Sequence, residues 1–312
     1  MRLHSLWQGF STHGVGAPTL FGITGRKPVP QSQSAAVASA ARGGLHSRGV
    51  GYDLSRFEAV LLDLDGTVYH EHHPLPGAVE LIRKLKAEGR NFACLSNSAS
   101  SPRRVSERLA TMGVEVEPER IYTAAAAACD YALEKFAGTT PRVFNLCTES
   151  VREMLEGKVQ WVNRDDEACD VVIAGAPSNV HATDERQRIA LQLLRHGAAL
   201  VGICNDRVYP SPRGMEFGAG AMSAMLSYAS HVTPFFCGKP EKIFFTELCH
   251  RLKVDPARCV LIGDNIESDV IGAKNVGMFT ILTLSGVTRR RDLEQLPANL
   301  RPNVILENLT EL

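Results

Sequence analysis

The residues of this chain best suited to chemistry are two carboxylates spaced i, i+2 at the end of an apolar run. In Glu58-Ala59-Val60-Leu61-Leu62-Asp63-Leu64-Asp65-Gly66-Thr67 a short hydrophobic segment stops abruptly at Asp63, Asp65 and a glycine. Alternation along a strand sends both acids to one side, at the point where the chain leaves the sheet. Anions crowded there repel each other unless they share a proton or a cation. The pair therefore points to a hard divalent metal, a split acid/base pair, or both. A solvated Asp-Gly turn is the competing reading of these residues taken alone. An EF-hand loop is excluded, because its glycine stands sixth and its glutamate twelfth, whereas Gly66 is fourth.

Three further apolar runs end in polar groups of the same kind. Phe92-Ala93-Cys94-Leu95 stops at Ser96-Asn97-Ser98, where a hydroxyl and free backbone donors can cradle a phosphate or simply cap the next helix. Phe235-Phe236-Cys237 is followed by Gly238-Lys239-Pro240, a lysine held at a turn rather than in a helix. Cys259-Val260-Leu261-Ile262 ends in Gly263-Asp264-Asn265, with Asp269 on the ensuing helix. Other candidates are weaker. His70, His72 and His73 share a polar loop without a nearby Cys and read as solvated imidazoles, not zinc ligands. Gly218-Ala219-Gly220-Ala221 follows a loop and lacks the G-x-G-x-x-G spacing, so a dinucleotide site is not expected.

The elements that position these residues are short. Apolar runs of strand length alternate with helical periods such as Ala78, Leu81, Ile82 and Leu85. That alternation predicts an α/β fold with a parallel sheet, whose strand ends gather ligands. From about Phe136 a second α/β unit begins, with strands at 142–146, 171–174 and 199–204. Its last strand ends in Asn205-Asp206-Arg207. The final clear strand is 280–284, before a polar tail expected to be weakly ordered.

The 312 residues carry no net formal charge, so no nucleic-acid partner is indicated, and no apolar run reaches membrane-spanning length. Eight scattered cysteines without a C-x-x-C pair read as free thiols of a reducing compartment. Residues 1–52 differ from the rest: they lack Asp and Glu but carry Arg2, Arg26, Lys27, Arg42 and Arg48. Two readings stand side by side there, a disordered leader and an organellar transit peptide.

Taken together and in this order, the four strand ends resemble the motifs of the haloacid dehalogenase superfamily of phosphohydrolases. Asp63-Leu64-Asp65-Gly66-Thr67 matches the first motif, Ser96 the second, Lys239 the third, and Gly263-Asp264-Asn265 with Asp269 the fourth. The Gly-Lys-Pro-Glu, Gly-Asp-Asn and Leu-Ser-Gly-Val-Thr strings resemble the nucleotide-monophosphatase and p-nitrophenyl-phosphatase branch, and the resemblance covers roughly residues 55–312. It implies a Rossmann-like doubly wound parallel core, built from 53–134 and 235–312, with an α/β cap inserted at 135–234. It also implies a Mg²⁺-dependent phosphomonoesterase of small phosphorylated metabolites: nucleotide or sugar monophosphates, phosphoglycolate, or p-nitrophenyl phosphate as a model substrate.

Carried over residue by residue, Asp63 is the nucleophile, forming an aspartyl-phosphate, and Asp65 the general acid/base. Ser96, the backbone donors of Asn97 and Ser98, and Lys239 bind the phosphoryl group. Asp63, the main-chain carbonyl of Asp65, and Asp264 hold Mg²⁺, with Asp269 and Asn265 behind them. Asn205, Asp206 and Arg207 lie where a cap loop meets the substrate, but the Asn-Pro-Asp usual there lacks its proline. The resemblance further implies a homodimer through the cap. The free thiols and the lack of a membrane-length apolar run point to a soluble cytoplasmic protein, or to a mitochondrial or other organellar one if the leader is a transit peptide. Two other functions compete with hydrolysis: a non-catalytic phosphometabolite-binding regulator, and a phosphotransferase to an acceptor other than water.

Overall fold

The computed structural model describes residues 52–211 and 213–312. Apart from Tyr52, the leader and its targeting reading lie outside the described residues. Among those described, no helix is long and apolar enough to cross a membrane.

Six strands form one parallel sheet in the order Val304–Leu306, Phe279–Thr283, Cys259–Gly263, Ala59–Asp63, Asn91–Ser96, Ile121–Thr123. In chain order this is the doubly wound arrangement, growing outward in both directions from the first strand. Its switch point lies between Ala59–Asp63 and Cys259–Gly263, which pair in register from Ala59 with Cys259 to Leu62 with Ile262. Both strands are buried along their whole length, as helices on each face of a parallel sheet require.

Each helix is placed by its apolar stripe and its cap. Ala78–Ala87 buries Ala78, Leu81, Ile82 and Leu85 against the sheet. In Pro102–Thr111 the proline opens the first turn and Ser101 accepts the Arg104 N–H, so the chain turns into the helix directly after the Ser96 strand end.

Between the helix after Ile121–Thr123 and Lys239 the chain builds the inserted cap. Its five-stranded parallel sheet has the order Phe235–Phe236, Ala199–Gly202, Val171–Ala174, Arg142–Leu146, Gln160–Trp161. Phe235–Phe236, expected to open the second part of the core at 235, pairs instead with Ala199–Gly202 at the edge of the cap sheet. The helix Ala124–Lys135 joins the two layers. Its buried face is a run of alanines, Ala124 to Ala128, small enough to fit between sheets. One hydrophobic cluster consequently runs from Leu61, Leu95 and Leu261 of the core through this helix to Val143, Ile173 and Val201 of the cap.

The C-terminal tail is more ordered than its polarity suggests. Helix Arg290–Glu294 is followed by Val304–Leu306 on the sheet edge, and Leu306 and Leu309 are buried. Main-chain hydrogen bonds finish the join, the Tyr52 N–H donating to Glu311 O at 2.7 Å. A three-residue edge strand between Asn303 and Glu307 has too short a pattern to be read from sequence.

Leu62 is fully buried, with Ile262 and Cys94 beside it in the sheet. Leu62→Ala is expected to destabilise the fold by about 2–5 kcal/mol. The shift of the urea midpoint at unchanged slope measures it; a loss below about 1 kcal/mol would mean that the strand is not the packed centre described.

Candidate active site

At the switch point the ends of adjacent strands bring three carboxylates together. Oxygens of Asp63, Asp264 and Asp269 lie within 4.8 Å of one another, all buried. Asp63 closes its strand and is 4% exposed. Asp264 follows Gly263 directly, and Asp269 enters from the helical turn Ile266–Ile271. Lys239 Nζ reaches this group from between the layers, 2.5 Å from Asp63 Oδ1 and 2.7 Å from Asp269 Oδ1.

Three anions against one ammonium leave excess negative charge in a buried pocket. Burial, which Lys239 does not offset, pushes the Asp63 carboxyl well above its ordinary range, and Asp269 and Asp264 raise it further. Asp264 is pushed up to about 6, mainly by burial and by Asp269, against the Val287 N–H that it accepts. Burial alone would lower Lys239, but Asp269 and Asp63 overcome it, so the lysine stays an ammonium. Asp63 Oδ2 is buried and has no hydrogen-bond partner among the described residues. A buried carboxylate oxygen left unpaired beside two further acids is the donor set a hard divalent cation requires. The residues therefore fit such an ion.

The second half of the Asp264 environment comes from 284–288. Val287 N–H donates to Asp264 Oδ2 at 2.5 Å, and Thr288 N–H to the Asp264 carbonyl at 3.2 Å. Ser285 Oγ donates to the Gly66 carbonyl at 2.8 Å, tying this loop to the turn after Asp65. A Cβ on Gly286 would stand 1.9 Å from Asp264 Oδ2, and one on Gly66, where φ is +89°, 2.5 Å from the same atom. In the sequence Ser285 and Gly286 stand out only as part of the Leu-Ser-Gly-Val-Thr string. Their signal was present, since they too follow a strand end at the same sheet edge.

Asp65 lies outside the carboxylate cluster. Its turn is closed by Gly66 N–H donating to the Tyr69 carbonyl at 2.8 Å, and the Tyr69 hydroxyl accepts from Arg108 at 2.7 Å. The Asp65 side chain is exposed at the rim, yet the surrounding protein still raises its pKa, with His70 and Arg108 pulling the other way. A carboxyl whose pKa is raised is moved toward the range in which it can pass a proton to a leaving group. The three loop histidines sit in an exposed hairpin, Tyr69–His70 with His73–Pro74.

Ser96 ends its strand buried, its Oγ accepting the Ser98 N–H at 3.1 Å. The Asn97 side chain turns away from this loop: Oδ1 accepts the Lys239 N–H, and Nδ2 donates to the Lys239 carbonyl and to Asp206 Oδ2. Asn265 caps the next helical turn, its Oδ1 accepting from Glu267 and Ser268 N–H, while its own N–H donates to Asp269 Oδ2. Asn205 and Arg207 are exposed beside half-buried Asp206. From Val208 the cap loop runs into an exposed hairpin, where Tyr209 hydrogen-bonds Ser178.

A buried carboxylate, a lysine and a strand-end Ser-Asn-Ser turn thus meet at the switch point of a parallel α/β sheet. Comparison with known proteins agrees. Models of HAD-hydrolase-like proteins and of haloacid dehalogenase-like hydrolases match residues 236–312 and 60–158. An acid sugar phosphatase of Staphylococcus aureus is 31% identical over 259 residues, 83% of this chain and 97% of that protein. Among solved structures, a 4-nitrophenylphosphatase from Thermotoga maritima superposes with a TM-score of 0.74 at 28% identity, over 82% of this chain and 96% of its own. NagD of Escherichia coli K-12 gives 0.73 at 25%, over 82% and 98%. A glycerol phosphate phosphatase from Mycobacterium tuberculosis, crystallised with magnesium, gives 0.75 at 27%, over 82% and 77%. The chain belongs to the haloacid dehalogenase-like hydrolases, and is a phosphatase of that family.

The charge crowding carries a pH signature. A carboxyl whose folded pKa is raised from 3.8 to about 6 contributes stability that is present at low pH and lost as pH rises through about 6. In EDTA, the protein is expected to lose ~3 kcal/mol from Asp264 between about pH 4 and pH 7. Urea unfolding of wild type and Asp264→Asn across that window tests this; parallel profiles for the two would show that Asp264 is not the strained acid.

Proposed function

We propose that the protein is a Mg²⁺-dependent phosphomonoesterase of small phosphorylated metabolites, working through an aspartyl-phosphate on Asp63. The single observation that carries the reading is Asp63 itself: buried at the switch point, one oxygen on Lys239 and the other unpaired beside Asp264. Asp63, the Asp65 carbonyl and Asp264 would hold the ion. Bound there, Mg²⁺ would neutralise the carboxylates and draw charge from the phosphoryl oxygens.

The chain's own residues supply the rest. Lys239 spans Asp63 and Asp269, so its ammonium stays fixed and charged next to the attacking oxygen. It offsets the repulsion between a carboxylate and a phosphate dianion. The Ser96 hydroxyl, braced by the Ser98 N–H, and the Asn97 N–H would meet the phosphoryl oxygens as charge spreads over them. As Asp63 attacks phosphorus, the ester P–O bond breaks and Asp65 delivers its proton to the leaving oxygen. Asp65, now ionised, takes a proton from the water that attacks the aspartyl-phosphate, releasing phosphate and restoring both acids. Asp269 acts behind this set, its two oxygens occupied by Lys239 and the Asn265 N–H.

The relatives named for sugar phosphates, glycerol phosphate and nitrophenyl phosphate support a small-ester substrate. Sugar and glycerol phosphates therefore lead the metabolite panel, with nucleotide monophosphates and phosphoglycolate behind them.

Phosphate release from that panel and from p-nitrophenyl phosphate is expected to need Mg²⁺ and to vanish in EDTA. Asp63→Asn should lower kcat by roughly three orders of magnitude or more while the protein remains folded. Wild-type protein that is inert across the panel with Mg²⁺ would leave the regulatory-binding reading in its place. Capture of the phosphoryl group by an added alcohol or sugar in preference to water would make it a transferase.

A further inference from the structure

We infer that Asn97 is a positioning residue that ties the cap loop to Lys239, with Asp206 as its anchor on the cap; this rests on the phosphatase reading above. Three hydrogen bonds from one side chain carry the inference. Asn97 Oδ1 accepts the Lys239 N–H at 2.8 Å, and Nδ2 donates to the Lys239 carbonyl at 3.0 Å. The amide thus pairs with both main-chain groups of the lysine, as a neighbouring strand would. The second Nδ2 proton goes to Asp206 Oδ2, also at 3.0 Å. With both Nδ2 protons engaged, the amide has no donor left for a phosphate oxygen.

The surroundings hold both ends of this latch. A Cβ on Gly238 would stand 2.7 Å from Asn97 Oδ1 and from the Ile203 carbonyl, so the residue before the lysine can only be glycine there. Gly238 N–H donates to that Ile203 carbonyl at 2.7 Å. On the cap side, Asp206 Oδ2 also receives Cys204 Sγ–H at 3.2 Å. Gly220 N–H donates to the Asp206 carbonyl at 3.0 Å, and a Cβ on Gly218 would approach that carbonyl to 2.1 Å. Asp206 is therefore held against the start of the helix Ala219–Ser230, and any displacement of the loop pulls on Asn97.

The lysine's ammonium must stay between Asp63 and Asp269, and a misplacement near 1 Å costs about 100-fold in rate. Asn97 transmits cap-loop position to that ammonium through the backbone of Lys239. Specificity in the cap and turnover in the core are thereby joined at one side chain.

The test compares wild type, Asn97→Ala, Asp206→Ala, Asp206→Asn and the Asn97→Ala/Asp206→Ala double variant. Readouts are p-nitrophenyl phosphate hydrolysis with Mg²⁺ and amide hydrogen exchange of residues 204–220. Asn97→Ala is expected to lower kcat by about 10- to 100-fold with KM changed less than about threefold. Asp206→Ala should lower kcat about fivefold, and the double variant should be no worse than Asn97→Ala, because the two act in series. Asp206→Asn keeps an acceptor oxygen and should restore most of the loss. Exchange at 204–220 should quicken in both alanine variants. A rise in KM with kcat intact, additive losses, or unchanged exchange would overturn the latch. If Asn97→Ala does not fold, the two Asp206 variants decide, since they leave the Lys239 main-chain pair in place. An inert wild type would defeat the phosphatase reading, while hydrogen exchange would still judge the latch.

Discussion

The structure depends on a repulsion. Three buried carboxylates, from Asp63, Asp264 and Asp269, converge on a single ammonium at the sheet's switch point. Left without a further cation, such a group costs stability, and the raised pKa values of Asp63 and Asp264 record that cost. The chain around it is buried and closely packed. The strands that deliver Asp63 and Asp264 are buried along their length, and glycines at 66 and 286 let the chain crowd against Asp264. A site held in strained charge balance is prepared to gain more from a bound cation and a phosphate than a relaxed one would.

The doubly wound topology makes that convergence possible. Strands far apart in sequence lie adjacent in the sheet, so their carboxyl ends open into one crevice. The cap is inserted after the third core strand and returns through Lys239, which places the lysine at the joint between layers. Thr148 Oγ1 donates to the Ala99 carbonyl at 2.6 Å, a second tie from cap to core beside the Asn97–Asp206 pair. The alanine-lined helix Ala124–Lys135 keeps the two sheets in one hydrophobic cluster. Cap and core are thus packed as well as hydrogen-bonded around the site.

Much of this was legible in the chain. Asp63, Asp65, Ser96 and Asp264 each follow an apolar run at the end of a buried core strand, and that regularity survives in sequence because burial on both faces demands continuous hydrophobic residues. Lys239, by contrast, follows a partly exposed two-residue edge strand and is marked by its Gly-Lys-Pro turn. The short edge strand Val304–Leu306 was not legible, for its three residues are too few to show a period. Nor were the roles of Ser285, Gly286 and Arg108, whose side chains or backbone meet the Asp65 turn and Asp264 across the fold. Nor was the Asn97 side chain's grip on Lys239, 142 residues further on, which is separate from the backbone donor that the strand-end motif implies.

By itself the sequence determined the order of the chemistry: which strands end in which groups, since strand periodicity and turn residues are local properties. It also pointed to a parallel α/β core and a second α/β unit from about Phe136, which the family resemblance made an insertion. Only tertiary structure decided which groups meet. The pairing of the Asp63 and Asp264 strands, the sharing of one ammonium by two acids, and the link from Asp206 to Lys239 are contacts between distant segments. They arise from how the sheets pack, and no local pattern encodes a distance across that packing.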